Sequence, residues 1–146
     1  MSELLKDPMV LRSIIMDHYE YPRNHELQDD PQYVQKHMAS ESCIDDIVVQ
    51  AKLAEGKIDD ICFDGVACTI STASTSIMSE LLKGKTKEEA QQIIDQYFAM
   101  IDGREYDENV LQEAVAFHTV GKQANRIKCA TIGWNAIQAI LDESEE

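Results

Sequence analysis

The sequence predicts an α+β fold, a small antiparallel β-sheet with helices packed on one face. Three observations carry that expectation. Residues 47–53 alternate, with Ile47, Val49, Ala51 and Leu53 on one face and Val48, Gln50 and Lys52 on the other. A short Glu55-Gly56 turn follows, and Ile61 and Phe63 continue the alternation in a second strand, so the two runs form a β-hairpin. After Thr69 the apolar residues recur at helical spacing almost to the end of the chain.

Taken in order, Leu4 to Tyr19 places Leu11, Ile14, Ile15 and His18 three and four residues apart, which predicts an amphipathic helix. Tyr21-Pro22-Arg23-Asn24 stops it, because a residue before proline is pushed out of the helical region. Residues 24–42 are polar and aperiodic and read as a loop. The hairpin comes next. Thr69 to Leu82 then predicts a helix rich in small residues, with Gly84 placed to end it. Thr86 with Glu89 matches a capping box, and the helix behind it carries Ile93, Ile94, Tyr97, Phe98 and Ile101. Beyond Asp102-Gly103, Val110–Val120 predicts a further helix, Gly121 to Lys128 a loop, and Trp134, Ile137 and Leu141 mark a last helix. The acidic end, 142–146, is expected to fray. With no repeat, linker or low-complexity segment, residues 1–146 are expected to form one domain.

The charge balance narrows the function. With 13 Lys+Arg against 27 Asp+Glu, the formal net charge is −14. Phosphate binding needs clustered positive charge, so this balance argues against a nucleic acid or an anionic membrane as partner. A basic surface on another protein would be drawn to it. No apolar run approaches the roughly 20 residues of a membrane span, and no basic-then-apolar signal opens the chain. A cytoplasmic protein is therefore expected.

Four cysteines stand at positions 43, 62, 68 and 129. In a reducing compartment dispersed cysteines serve as metal ligands, reactive thiols or small core residues. Cys43 precedes the first strand of the hairpin, Cys68 follows the second at the head of a helix, and Cys129 is expected at the head of the last helix. Three element ends could thus converge, with Asp45 beside them. Three thiolates and one carboxylate suit a tetrahedral zinc ion, and thiolates equally suit iron. A helix N-terminus favours the thiolate form, which would help Cys68 and Cys129. Such a zinc site carries two negative charges, which Arg126 and Lys128 could offset. From spacing alone the three cysteines could also be small buried hydrophobes. Cys62, inside a strand between Ile61 and Phe63, reads as a packed or half-exposed free thiol, and His18 and His118 read as structural or surface residues.

The motifs narrow these alternatives. Asp17-His18-Tyr19-Glu20-Tyr21-Pro22-Arg23-Asn24, Gly65-Val66-Ala67-Cys68-Thr69-Ile70-Ser71 and Arg126-Ile127-Lys128-Cys129-Ala130-Thr131 lie in this order along nearly the whole chain. In these the chain resembles the U-type iron–sulfur cluster assembly proteins, and specifically their SufU branch. The long segment between Cys68 and Cys129 fits that branch, as does Lys128 where IscU-like chains carry histidine. The first loop departs from the family: Ser40-Glu41-Ser42-Cys43-Ile44-Asp45 stands where relatives usually read Asn-Pro-Ser/Thr-Cys-Gly-Asp.

The resemblance implies a SufU/IscU-like fold and a zinc ion held by Cys43, Asp45, Cys68 and Cys129. It implies a sulfurtransferase-like acceptor, rather than an independent enzyme, that takes persulfide sulfur from a PLP-dependent, SufS-like cysteine desulfurase and hands it to downstream cluster-assembly proteins. Cys43 would be the acceptor thiol, Asp45 an exchangeable oxygen ligand, and Arg126 and Lys128 charge-compensating or docking residues. The same ligands could instead carry iron or a transient [2Fe–2S] cluster on a scaffold. A zinc-stabilised module that regulates the desulfurase is a third reading. A zinc hydrolase or deaminase is disfavoured, since neither H-E-x-x-H nor H-x-E…P-C-x-x-C occurs.

Overall fold

The computed structural model describes residues 7–39 and 45–143, apart from the side chains of residues 124 and 125. Asp7 accepts the Met9 N–H at 2.9 Å and Pro8 fills the first turn, so the first helix, α1, runs Pro8–Glu20 and starts later than the expected Leu4. It buries Leu11 and His18. His18 Nδ1 lies 2.8 Å from Ser76 Oγ, which also accepts the Arg23 N–H at 2.8 Å. These bonds tie α1 and its terminating turn to the second helix, the structural role expected of this histidine.

Three strands form one antiparallel sheet in the order β1-β2-β3, with β1 at Tyr33–Ala39, β2 at Asp46–Ala54 and β3 at Lys57–Val66. The β2–β3 hairpin is the expected one. Its turn residues Glu55 and Gly56 have φ of 53° and 77°, the paired left-handed conformations whose twist matches that of the strands. Strand β1 corrects the reading of 24–42 as a loop. Tyr33 pairs with Lys52 and Ala39 with Asp46, and Lys36 reaches Glu143 of the last helix at 2.7 Å.

Helices α2 (Thr69–Leu82) and α5 (Ala124–Glu143) cover the sheet face that presents Ile47, Val49, Ala51, Ile61 and Phe63, and α3 (Lys87–Ile101) packs on α5. Helix α2 packs beside β3, and α5 beside β1 and β2. Thr86 and Glu89 complete the capping box at the start of α3. The chain following α1 covers the other face of the sheet and the outer edge of β3. Gln50 accepts the Gln28 N–H at 2.8 Å, and Phe63 donates its N–H to Asn24 O at 2.9 Å.

The expected Val110–Val120 helix is replaced by a single α-turn, α4 (Glu108–Leu111), and two 3₁₀ segments, Gln112–Phe117 and Val120–Lys122. Gln112 breaks the helix with φ of 48°. Ala114 to Phe117 are then buried as four consecutive residues, which no single face of a 3.6-residue helix can do. The last helix starts at Ala124, within the expected Gly121–Lys128 loop, and it continues through Asp142 and Glu143 of the acidic end.

Behind the site, α2, α3 and α5 meet at a buried polar node. Ser74 Oγ and Tyr97 OH each donate to Ala130 O at 2.6 Å, and Trp134 Nε1 donates to Ser74 Oγ at 3.0 Å. The Trp134 and Tyr97 rings stack at 3.9 Å and 7°. Both side chains are fully buried, and burial keeps the Tyr97 phenol protonated.

Candidate metal centre

Strand register assembles the first half of the site. Asp46 opposes Val66, so the residue before β2 and the residues after β3 come side by side. The close approach depends on Gly65, with φ of 133°; a Cβ there would sit 2.2 Å from Asp46 O and 2.8 Å from Ile47 Cα. Asp45, 1% exposed, accepts the Cys68 N–H on Oδ1 at 2.8 Å and the Ser71 hydroxyl on Oδ2.

Cys68 stands at the head of α2 as expected, and its sulfur caps the helix by accepting the Ser71 N–H at 3.4 Å. Cys129 reaches the site differently from the expectation. Because α5 begins at Ala124, Cys129 lies in the second turn, past the unpaired N–H groups of the helix end. Packing of α5 on α2 carries it there instead. That packing is close: a Cβ on Gly133 would meet the Thr75 side chain at 2.4 Å.

The outcome is one cluster in which ligand atoms of Asp45, Cys68 and Cys129 all lie within 4.8 Å of one another. Cys43, the remaining member of the expected ligand set, lies outside the described residues. Two thiols and a buried carboxylate form a donor set that fits zinc or iron. Ser71, which ties Asp45 to the head of α2, was not singled out from the sequence. Its spacing three residues beyond a helix-capping position was the available signal.

Arg126 and Lys128 are both exposed at the start of α5, ahead of Cys129. Arg126 lines a cleft of about 530 Å³ beside the head of α2, together with Arg12, Ile15, Thr69, Ile70 and His118. Arg23 and Arg104 pair with Asp17 and Asp102, whereas Arg12 and Arg126 form no ion pair among the described residues. Two unneutralised guanidinium groups thus face one partly apolar cleft in a chain of net charge −14.

Cys62 lies apart from the cluster, 3% exposed on the other sheet face, and its thiol donates to Gln50 Oε1 at 3.2 Å. Burial pushes its thiol up from the ordinary range, which disfavours the reactive thiolate. This is the packed free thiol expected for that position.

The fold and its donors describe an α+β domain with a candidate metal centre, built from the approach to a strand, the head of one helix and the second turn of another. The NifU-like N terminal domain model matches residues 11–144, and the chain belongs to that family. It is 38% identical over 135 residues to the zinc-dependent sulfurtransferase SufU of Bacillus subtilis, covering 92% of this chain and 90% of that protein. It is also 38% identical over 133 residues to the iron–sulfur cluster assembly scaffold protein IscU of Streptococcus pyogenes, covering 90% of this chain and 82% of that one. Among solved structures, FiSufU from Fervidobacterium islandicum AW-1 superposes with a TM-score of 0.79 at 32% identity, covering 88% of this chain and 93% of that chain. No helix among the described residues is long and apolar enough to cross a membrane.

Proposed function

We propose that this protein acts in iron–sulfur cluster biogenesis as a zinc-bound acceptor of persulfide sulfur. The donor is a SufS-like, PLP-dependent cysteine desulfurase, and the sulfur passes on to downstream cluster-assembly proteins in the cytoplasm. The observation that carries this reading is the Asp45, Cys68 and Cys129 cluster, supported by the similarity to a zinc-dependent sulfurtransferase. Cys43, Asp45, Cys68 and Cys129 would hold the metal. Zinc, when bound, would keep these thiols deprotonated and temper their nucleophilicity.

Cys43 is the acceptor. Its thiolate attacks the outer sulfur of the desulfurase persulfide, a new S–S bond forms on Cys43, and the partner's S–S bond breaks. The partner cysteine leaves as a thiolate, so the transfer needs neither oxidant nor reductant. Asp45, Cys68 and Cys129 stay in place on β2, α2 and α5.

Docking would use the cleft beside α2. Arg12 and Arg126, unneutralised there, fit acidic groups on the desulfurase, with Lys128 contributing further positive charge. Reversing both arginines (Arg12→Glu with Arg126→Glu) is expected to weaken desulfurase binding about tenfold at low salt, and less as salt rises. Wild-type affinity at every ionic strength would place the docking face elsewhere.

The second reading is a scaffold that carries a transient [2Fe–2S] cluster as cargo, and the similarity to IscU supports it. The first experiment is metal and sulfide content per chain after anaerobic, chelator-free purification, followed by one turnover with persulfide-loaded desulfurase. Near-stoichiometric zinc with one sulfur gained is the expected result. Iron with matching sulfide would favour the scaffold, and neither metal would overturn both readings.

A further inference from the structure

We infer that Ser71 is a positioning residue for the Asp45 ligand. It holds the carboxylate toward the two thiols and thereby sets how tightly the site retains a metal. The inference rests on the proposed metal site and adds a residue and a role to it.

A carboxylate on an aspartate side chain turns readily about its last torsion, so a lone Asp is a loosely aimed ligand. Here both oxygens are held, one by the Cys68 N–H at 2.8 Å and the other by the Ser71 hydroxyl. A carboxylate oxygen that accepts one hydrogen bond keeps a second lone pair. Being tied in this way is compatible with ligation, and the Asp45 carboxylate stands within 4.8 Å of the ligand atoms of Cys68 and Cys129. An oxygen ligand expected to be exchangeable is thus anchored at both oxygens.

Ser71 is itself fixed. It is fully buried in the first turn of α2, where it donates its N–H to the Cys68 sulfur at 3.4 Å. Its hydroxyl donates to Asp45 and also accepts the Cys68 thiol at 3.4 Å, so the two ligands share one rigid reference. Hydrogen-bonded partners of this kind orient ligating groups, and removing one typically costs about 10- to 100-fold in metal affinity.

The test is a double-mutant cycle read as zinc affinity by chelator competition, using the whole chain. Ser71→Ala is expected to weaken zinc about 10- to 100-fold, because the N–H capped by Cys68 survives the change while the hydroxyl does not. Ser71→Thr, which restores a hydroxyl, is expected to recover most of the affinity. In an Asp45→Ala background the Ser71→Ala change is expected to add no further loss.

Unchanged affinity in Ser71→Ala overturns the inference. An equal loss with and without Asp45 also overturns it, as does unfolding in both backgrounds, since the hydroxyl would then serve Cys68 or the fold. A wild-type chain that binds no zinc overturns the metal site together with the inference. Intact coupling between Ser71 and Asp45 in a chain that takes up no sulfur overturns the proposed function alone.

Discussion

Cys43→Ala is expected to cut sulfur uptake from a persulfide-loaded desulfurase by about 100-fold or more, the scale on which enzymes lose rate when their nucleophile is removed. The reason is chemical. Sulfur transfer needs a thiolate able to approach the partner's outer sulfur, and the other thiols are committed elsewhere. Cys68 caps α2 and Cys129 is buried within α5, while Cys62 lies buried on the far sheet face with its thiolate form disfavoured. Mass spectrometry of the chain after one turnover reads the added sulfur directly. Cys62→Ala is the matched control and should take up sulfur as the wild type does. Uptake at the native rate by Cys43→Ala would remove Cys43 from the acceptor role.

Trp134→Ala is expected to destabilise the protein by about 3–5 kcal/mol, the range for deleting a fully buried large aromatic. Two losses combine. The ring leaves a cavity against Tyr97, on which it stacks at 3.9 Å, and Ser74 Oγ loses the indole N–H that it accepts at 3.0 Å. Trp134→Phe keeps a stacking ring and removes the donor, so its loss should be smaller. Urea unfolding monitored by far-ultraviolet circular dichroism checks both variants. Indistinguishable midpoints for wild type and Trp134→Ala would show that the node does not hold α2, α3 and α5 together. Because Ala130, next to Cys129, supplies the carbonyl of that node, Trp134→Ala should also loosen metal binding.

The elements legible in the sequence are those whose burial follows a single period. Strand β2 alternates because one face meets the helices, and the turn at Glu55-Gly56 carries its own backbone signature. The stripe on α3 and its capping box are legible for the same kind of reason. Strand β1 hid because it is an edge strand whose partly buried face includes Lys36, paired with Glu143 far along the chain. That pairing is invisible to local pattern. The 3₁₀ region hid because its spacing mimics a helix until Gln112 takes a left-handed conformation. At the site, the three element ends that the sequence placed near one another do come together, with ligand atoms of Asp45, Cys68 and Cys129 within 4.8 Å. The start of α5 did not follow, since Gln123, which precedes Ala124, is not among the residues that favour a helix N-cap. Ser71 was missed because its importance lies in a hydrogen bond to a residue on another element.

The distribution of the donors along the chain has a consequence for how the protein is made. Asp45 and Cys68 close a 23-residue loop through one hairpin, a contact a nascent chain can form soon after those residues leave the ribosome. Cys129 joins only after α2 and α3 have emerged and α5 has docked on them. Until then a growing chain carries three of the four proposed donors, which would hold an ion less tightly than the complete set. At the proposed site, tight metal capture would thus wait until synthesis is nearly finished, and a truncated chain ending before α5 lacks one of the proposed thiol ligands.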